Sequence, residues 1–317
     1  MSKFINRRKF VSSTALSAAG ILMSDRVLGM HDAIAALYAP VKEEVTLKYN
    51  LMNDVMKYRK LDSHVHAYLF DGGPEGNIAF ADRLGIDKMF ISLPAYRGEG
   101  TPQEFRSFND LMIKCMKQYP DRLIGQFTAN AIFQKESLEE IKRCVDLGMV
   151  GLKVYTQLKI NDPLFYPIIE KMIDLKMIIH MHAYAQLGLG GYRMKYDVGI
   201  RPNTSIPEDF VDIAKRYPEA MFQYAHIGGG GDWEYACKSF VNYPNIYVDT
   251  SGSNNPENMI DSALKLLGED RLFFGSDNCY YQSVGKILAS NLTENQKKKV
   301  FFDNYNEVLK KSGRNVD

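Results

Sequence analysis

The sequence predicts an α/β chain closed into a (β/α)8 TIM barrel with an N-terminal helical extension, and three observations carry that expectation. Short runs rich in β-branched and aromatic residues recur at 60–66, 87–93, 123–129, 149–155, 177–182, 220–226, 245–250 and 271–277. Amphipathic helical patterns separate them, near 76–85, 103–118, 137–147, 163–175, 207–217, 232–242 and 256–267, with two more at 283–290 and 294–311. Strands and helices in alternation are the pattern of repeated βα units, and eight such units close into a cylinder. The third observation is chemical. His64, His66, Lys153, His180, His226 and Asp277 stand at the ends of these runs, where such a barrel places its reactive groups.

From the N-terminus, residues 1–29 read as a targeting segment and not as fold. Lys3, Arg7, Arg8 and Lys9 precede an apolar stretch from Phe10 to Met23 that is too short, and too rich in Ser and Ala, to span a bilayer comfortably. Asn6-Arg7-Arg8-Lys9-Phe10-Val11 resembles a twin-arginine export signal. It implies the twin-arginine translocase as a partner and the bacterial periplasm as destination, with membrane association if the signal stays uncleaved. Val27 and Gly29 are small enough for cleavage after Gly29. Residues 30–58 form the helical extension, with Ile34, Leu37, Val41, Val45 and Leu51 as its apolar positions and a break at Pro40.

The barrel domain takes residues 59–317. Ser137, ahead of Glu139 and Glu140, is expected to cap a helix that Gly148 ends; Asn291 and Thr293 are expected to cap the last helix. The connection Ala183 to Ile206 is rich in Gly, Tyr and Arg and too long for a plain loop, so it is expected to be a substrate lid.

On the first strand His64 and His66 share one face, because side chains alternate, and lie roughly 6–7 Å apart at the backbone. Two imidazoles so placed can converge on one cation. Asp62, in phase two residues earlier, is expected to orient an imidazole N–H. The fifth strand ends in His180-Met181-His182, again with two histidines on one face. The sixth ends at His226 and runs into Gly228 to Gly231; the eighth ends at Asp277. A buried cluster of imidazoles and carboxylate without a cation would be costly to desolvate, so the set reads as one metal site gathered from separated strands.

These residues lie in Leu61-Asp62-Ser63-His64-Val65-His66, Gly151-Leu152-Lys153-Val154-Tyr155, Met177-Ile178-Ile179-His180, Ala225-His226-Ile227-Gly228-Gly229, Tyr247-Val248-Asp249-Thr250-Ser251-Gly252 and Phe273-Phe274-Gly275-Ser276-Asp277. With those motifs in that order, the chain resembles the amidohydrolase-2 branch of the amidohydrolase superfamily from about Leu61 to Lys311. The resemblance implies that His64, His66, His180 and Asp277 hold one divalent metal per chain, zinc before manganese, with His226 positioning the attacking water or polarising the substrate. In other branches a lysine placed like Lys153 is carboxylated and bridges a second metal, so a binuclear centre is the variant expectation.

The reaction expected first is hydrolysis of an amide, ester or lactone of a small, cyclic substrate by a metal-activated water, with Asp277 as general base and acid. The alternative is decarboxylation of an aromatic or enoic acid on the same site, since such decarboxylases are among the members the chain resembles. That reaction needs a cation for the carboxylate, and Arg97, Arg193 and Arg201 are the loop candidates. His182 and Tyr155 are expected to face substrate, and Tyr184, Tyr192, Tyr196, Tyr280 and Tyr281 point to a cyclic or aromatic one.

With 317 residues and a net charge of +1, the chain carries no basic field for nucleic acid. Its four cysteines show no CxxC spacing; Cys115, Cys144 and Cys237 read as small buried hydrophobes, and Cys279 as a residue of the site mouth. A homo-oligomer is compatible with all of this.

Overall fold

The computed structural model describes residues 50–68, 73–96, 98–184, 203–227, 229, 233–252 and 258–316. The export-like segment 1–29, most of the 30–58 extension, most of the 183–206 connection, and Arg97, Arg193 and Arg201 lie outside the described residues. The helix Leu51–Met56 is the described part of the extension, and it belongs to the same compact unit, Leu51–Asp317, as the barrel.

The strands are β1 Leu61–His66, β2 Lys88–Ser92, β3 Leu123–Gly125, β4 Phe127–Thr128, β5 Leu152–Val154, β6 Ile179–His182, β7 Phe222–Ala225, β8 Ile246–Asp249 and β9 Leu272–Phe273. Every pairing is parallel and follows chain order, β1 to β3 in one ladder and β4 to β9 in the other. The expected strand 123–129 divides at Gln126 because the backbone changes partner there. Gln126 N donates to Ile91 O at 2.8 Å, whereas Phe127 N donates to Gly151 O at 3.0 Å. One stave thus serves both neighbours. At the opposite seam Ser63 N donates to Phe274 O at 2.9 Å and Asp277 N to His64 O at 2.7 Å, which joins the end of the chain of strands to its beginning. Both seams are bonded, and the staves close on themselves.

Apolar residues fill two layers. Between strands and helices lie Val65, Met89, Ile91, Leu152, Val154, Ile179 and Met181, packed with Ile141, Ile168 and Ile213. A second cluster holds Leu61, Phe90, Val150, Ile178, Met221 and Phe273, sealed by Phe302, Tyr305 and Leu309 from the C-terminal segment. Further along the strands, residues in register with that second cluster turn polar: Ser63, Gln126, Lys153, His180, Gln223 and Asp249, each at most 1% exposed. Apolar at one end and polar at the other, the barrel has only one end where chemistry can collect.

Several local expectations need correction. Ser137 does not cap; the helix Gln134–Asp146 begins before it, and its buried hydroxyl donates to Asn130 O at 2.8 Å. The side chain of Asn130 caps the preceding 3-10 turn Ala131–Phe133 instead. Thr293 caps the helix Glu294–Lys298 through Gln296 N, while Asn291 spends its own N–H on Asp261. The single helix expected at 294–311 is interrupted by a π-helical stretch, Lys299–Asp303, before Asn304–Lys310. Within that stretch Val300 O accepts from Phe274 N at 2.9 Å, tying the last strand to the C-terminal segment.

Arg271, which opens the last strand segment, is 9% exposed and donates to four carbonyls, Leu267, Phe240, Tyr243 and Val241. Arg271→Met removes one donor from each of the four carbonyls, of which Phe240 O and Tyr243 O keep backbone donors in Tyr243 N and Ile246 N, and is expected to destabilise the chain by about 2 kcal/mol in urea unfolding, with metal content unchanged.

Candidate metal centre

β1 delivers His64 and His66, β6 delivers His180, and the turn after β9 delivers Asp277. What aims the imidazoles is the partner on each Nδ1. His64 Nδ1 lies 3.1 Å from Asp249 Oδ2, His66 Nδ1 lies 3.2 Å from Ser92 O, and His180 Nδ1 lies 3.1 Å from Gln126 Oε1. All three partners are acceptors and favour the proton on Nδ1 with a lone pair on Nε2, although Ser92 Oγ also lies 3.1 Å from His66 Nδ1 and Asp249 Oδ2 lies 3.3 Å from His180 Nε2. The Nε2 atoms of His64 and His66 are 3.3 Å apart, and Asp277 Oδ1 lies 3.5 Å and 3.3 Å from them. Ligand atoms of these three residues all fall within 4.8 Å of one another, as do those of His64, His180 and Asp249. Convergent imidazole lone pairs, each backed by an acceptor, with one carboxylate beside them, fit a divalent cation.

Electrostatics keep the nitrogens ready. Burial drives the pKa of His64, His180 and His226 well below 6.5 and that of His66 to about 3, with Lys153 adding to the effect on each. Burial raises Asp277 to about 7 against the pull of Lys153. Asp249 behaves differently. Burial opposes its charge, but the groups around it, His64 foremost through its Nδ1, outweigh burial and hold the carboxyl well below the usual range. It also accepts from Gln223 Nε2, Ser251 Oγ and the backbone N–H groups of Ser251 and His226.

A second row of groups borders the first. Ser251 Oγ donates to Asp249 and so accepts from His226 Nδ1 at 3.0 Å; His226 Nε2 then takes the Nδ1 proton of His182 at 2.9 Å. Asp277 Oδ2 is 3.5 Å from His226 Nδ1. The Tyr155 ring lies 4.3 Å from His182, and Tyr96 lies 6.0 Å from Tyr155. His226, Asp277 and Asn278 have φ of 72°, 48° and 64°, a conformation non-glycine residues rarely adopt. The turn after His226 depends on Gly229, where a Cβ would stand 2.7 Å from His226 Cβ. Asn278 holds its turn by accepting from His66 N and donating to His66 O, both at 2.8 Å.

The structure therefore brings together His64, His66, Lys153, His180, His182, His226 and Asp277, with Tyr155 beside them. Arg97 and Arg193 lie outside the described residues. Asp62 does not orient an imidazole. The register of β1 shifts between Asp62 and Val65, so Asp62 pairs with Met89 while Ser63 and His64 occupy the step between. Its carboxylate accepts instead from His64 N and Ser276 N. Tyr280 is not a substrate wall; it stacks on Phe80 and takes a hydrogen bond from Asn77, and Tyr281 meets the edge of the same ring. Cys115, Cys144 and Cys237 are buried, as expected, and Cys279 is exposed. Sequence reasoning missed Asp249, Gln126, Ser92, Ser251 and Asn278. Asp249 closes its strand just as His226 and Asp277 follow theirs, a signal that was available; Gln126 sits at a strand break that no pattern marks.

Comparison with known proteins places the chain. The amidohydrolase family model (amidohydrolase-2) matches residues 61–304. The chain belongs to that family. A relative, the 2-amino-3-carboxymuconate-6-semialdehyde decarboxylase of Dictyostelium discoideum, is 24% identical over 284 residues, covering 79% of this chain and 76% of the relative. The 2,6-dihydroxybenzoate decarboxylase from Rhizobium superposes with a TM-score of 0.64 at 18% identity, over 81% of this chain and 99% of that one. The 5-carboxyvanillate decarboxylase from Novosphingobium aromaticivorans, complexed with manganese, gives 0.62 at 17% identity, over 80% of this chain and 97% of that one.

Two outcomes are expected for this family member. Asp249→Asn removes the charge behind His64 and is expected to weaken metal binding about 10–100-fold in a chelator competition. The second concerns pH. The four imidazoles of His64, His66, His180 and His226 stay neutral in the metal-free fold but take protons near 6.5 when unfolded, so their stabilisation is present above pH 6.5 and lost progressively as pH falls below it. Asp62 and Asp277, raised to about 7, act with the opposite sign, protonated in the fold below 7 and in the unfolded chain only below 3.8. Four groups outweigh two, and the thermal midpoint of chelator-stripped protein is expected to fall from pH 6.5 to pH 4.

Proposed function

We propose that the chain is a metal-dependent decarboxylase of a small aromatic or enoic carboxylic acid. The observation that carries the reading is the placement of Asp277, whose carboxylate lies within 3.5 Å of the imidazoles of His64, His66 and His226 while its side chain keeps 29% of its surface exposed. Decarboxylation requires a group that holds a proton near neutrality and faces the carbon that loses CO2. The relatives named above are decarboxylases, which favours this reading over the hydrolysis that the sequence put first.

The donor set of His64, His66, His180 and Asp277 would hold the cation, which we take to be zinc or manganese. When bound, it supplies a Lewis acid that orients the substrate oxygens and draws off negative charge. The chain's own residues do the rest. The bond from the carboxylate to the ring or enoic carbon breaks, CO2 leaves, and its electron pair stays on that carbon. Asp277 gives the carbon its proton and recovers one from solvent. His226 is held by Ser251 and His182 in one orientation beside Asp277. Tyr155 and His182, their rings 4.3 Å apart, form an aromatic wall suited to a flat, conjugated acid. We also propose export, on the strength of Arg7 and Arg8; changing both to Lys is expected to retain the protein in the cytoplasm on fractionation.

Metal-loaded protein is to be run on aromatic acids, enoic acids, lactones, esters and amides, with CO2 and product mass both recorded. The expected result is CO2 with a product lighter by that molecule, and a loss of about 10³-fold or more in Asp277→Asn with the fold intact. Release of an acid with an alcohol or amine, and no CO2, overturns the reading.

A further inference from the structure

Lys153 is the residue that the proposed reaction leaves unused. Its side chain is 1% exposed, and its Nζ lies 2.9 Å from His64 Nε2 and 3.1 Å from His180 Nε2. Those nitrogens carry lone pairs, because the Nδ1 protons of the same rings are spent on Asp249 and Gln126. Two ammonium hydrogens therefore engage lone pairs that a divalent ion would use. Burial lowers the pKa of Lys153 to about 8, and the carboxylates of Asp277 and Asp249 work against that fall by favouring its charge. In a buried site an imidazole acceptor with no donor is costly, and Lys153 removes that cost for two rings at once.

We propose that Lys153 is a resident cation that competes with the metal: it satisfies His64 and His180 while the site is metal-free, and its displacement sets the affinity for the ion. Metal entry breaks both Lys153 hydrogen bonds and places two positive charges beside a buried ammonium. Each effect weakens binding. A carboxylated Lys153 bridging two ions would do the reverse, because the lysine would then be a ligand and its loss would weaken binding. The inference rests on the metal centre described above and not on the identity of the reaction, so metal uptake, which does not involve substrate, is the readout.

Full-length protein stripped by chelator is titrated with Zn2+ and with Mn2+ against a competing fluorescent chelator, and metal per chain is counted by elemental analysis. Wild type, Lys153→Met, Lys153→Gln and His66→Ala are compared. The expected result is one ion per chain in wild type and binding tighter by about tenfold or more in both Lys153 variants, as follows from removing a like charge at close range. The metal-free Lys153→Met chain is expected to melt below wild type, and its rise on adding Zn2+ to be the larger. Unchanged or weaker binding in both lysine variants overturns the proposal, as does a fall from two ions per chain to one. A wild type that takes up no more metal than His66→Ala overturns the metal centre and this proposal together, while leaving CO2 release as a separate question.

Discussion

Three hydrogen bonds behind the imidazoles decide what this barrel can do. Asp249, the Ser92 carbonyl and Gln126 each accept a hydrogen bond at an Nδ1, which turns the Nε2 atoms of His64, His66 and His180 inward. A histidine without such a partner is free to rotate and to change tautomer, and its lone pair then has no fixed direction. Asp249 does the most, since the same carboxylate also fixes Ser251, Gln223 and the backbone at His226. One buried charge thus sets the relative positions of groups from β1, β7 and β8.

Holding so many polar groups out of water works against folding, and the site survives because its surroundings leave it no alternative. The apolar cluster around Phe90, Phe273 and Tyr305 fills one end of the barrel, and both seams are bonded through the backbone. His226, Asp277 and Asn278 remain in left-handed conformations of order 1–3 kcal/mol each only because neighbouring bonds overdetermine them. Asn278 clamps His66 from both sides, and Asp277 N is tied to His64 O. The strain sits where the reacting groups are, which is where a rigid scaffold can hold it.

Much of this was legible residue by residue. His64 and His66 announce themselves by a spacing of two on a strand, and His180, His226 and Asp277 by ending or following apolar runs. The alternation of strand and helix declares the barrel. Three of the departures from expectation share a cause, which is backbone irregularity. A one-residue shift in β1 moves Asp62 out of phase with the histidines, and a partner change at Gln126 makes that glutamine an imidazole support. A π-helical stretch, in turn, lets Val300 reach Phe274. None of these alters hydrophobic periodicity, so none leaves a trace in it.

By itself, then, the amino-acid sequence determined the βα repeat, the identity of the metal-capable side chains and the strands that carry them, because these follow from local periodicity and from residue chemistry. Only the tertiary structure decided which nitrogen of each histidine faces inward, that Asp249 and not Asp62 supports His64, and that Lys153 bonds two of the rings. Those outcomes depend on which atoms from distant strands stand within about 3 Å of each other, and a hydrogen bond of that length is set by register and closure that no local stretch of chain contains.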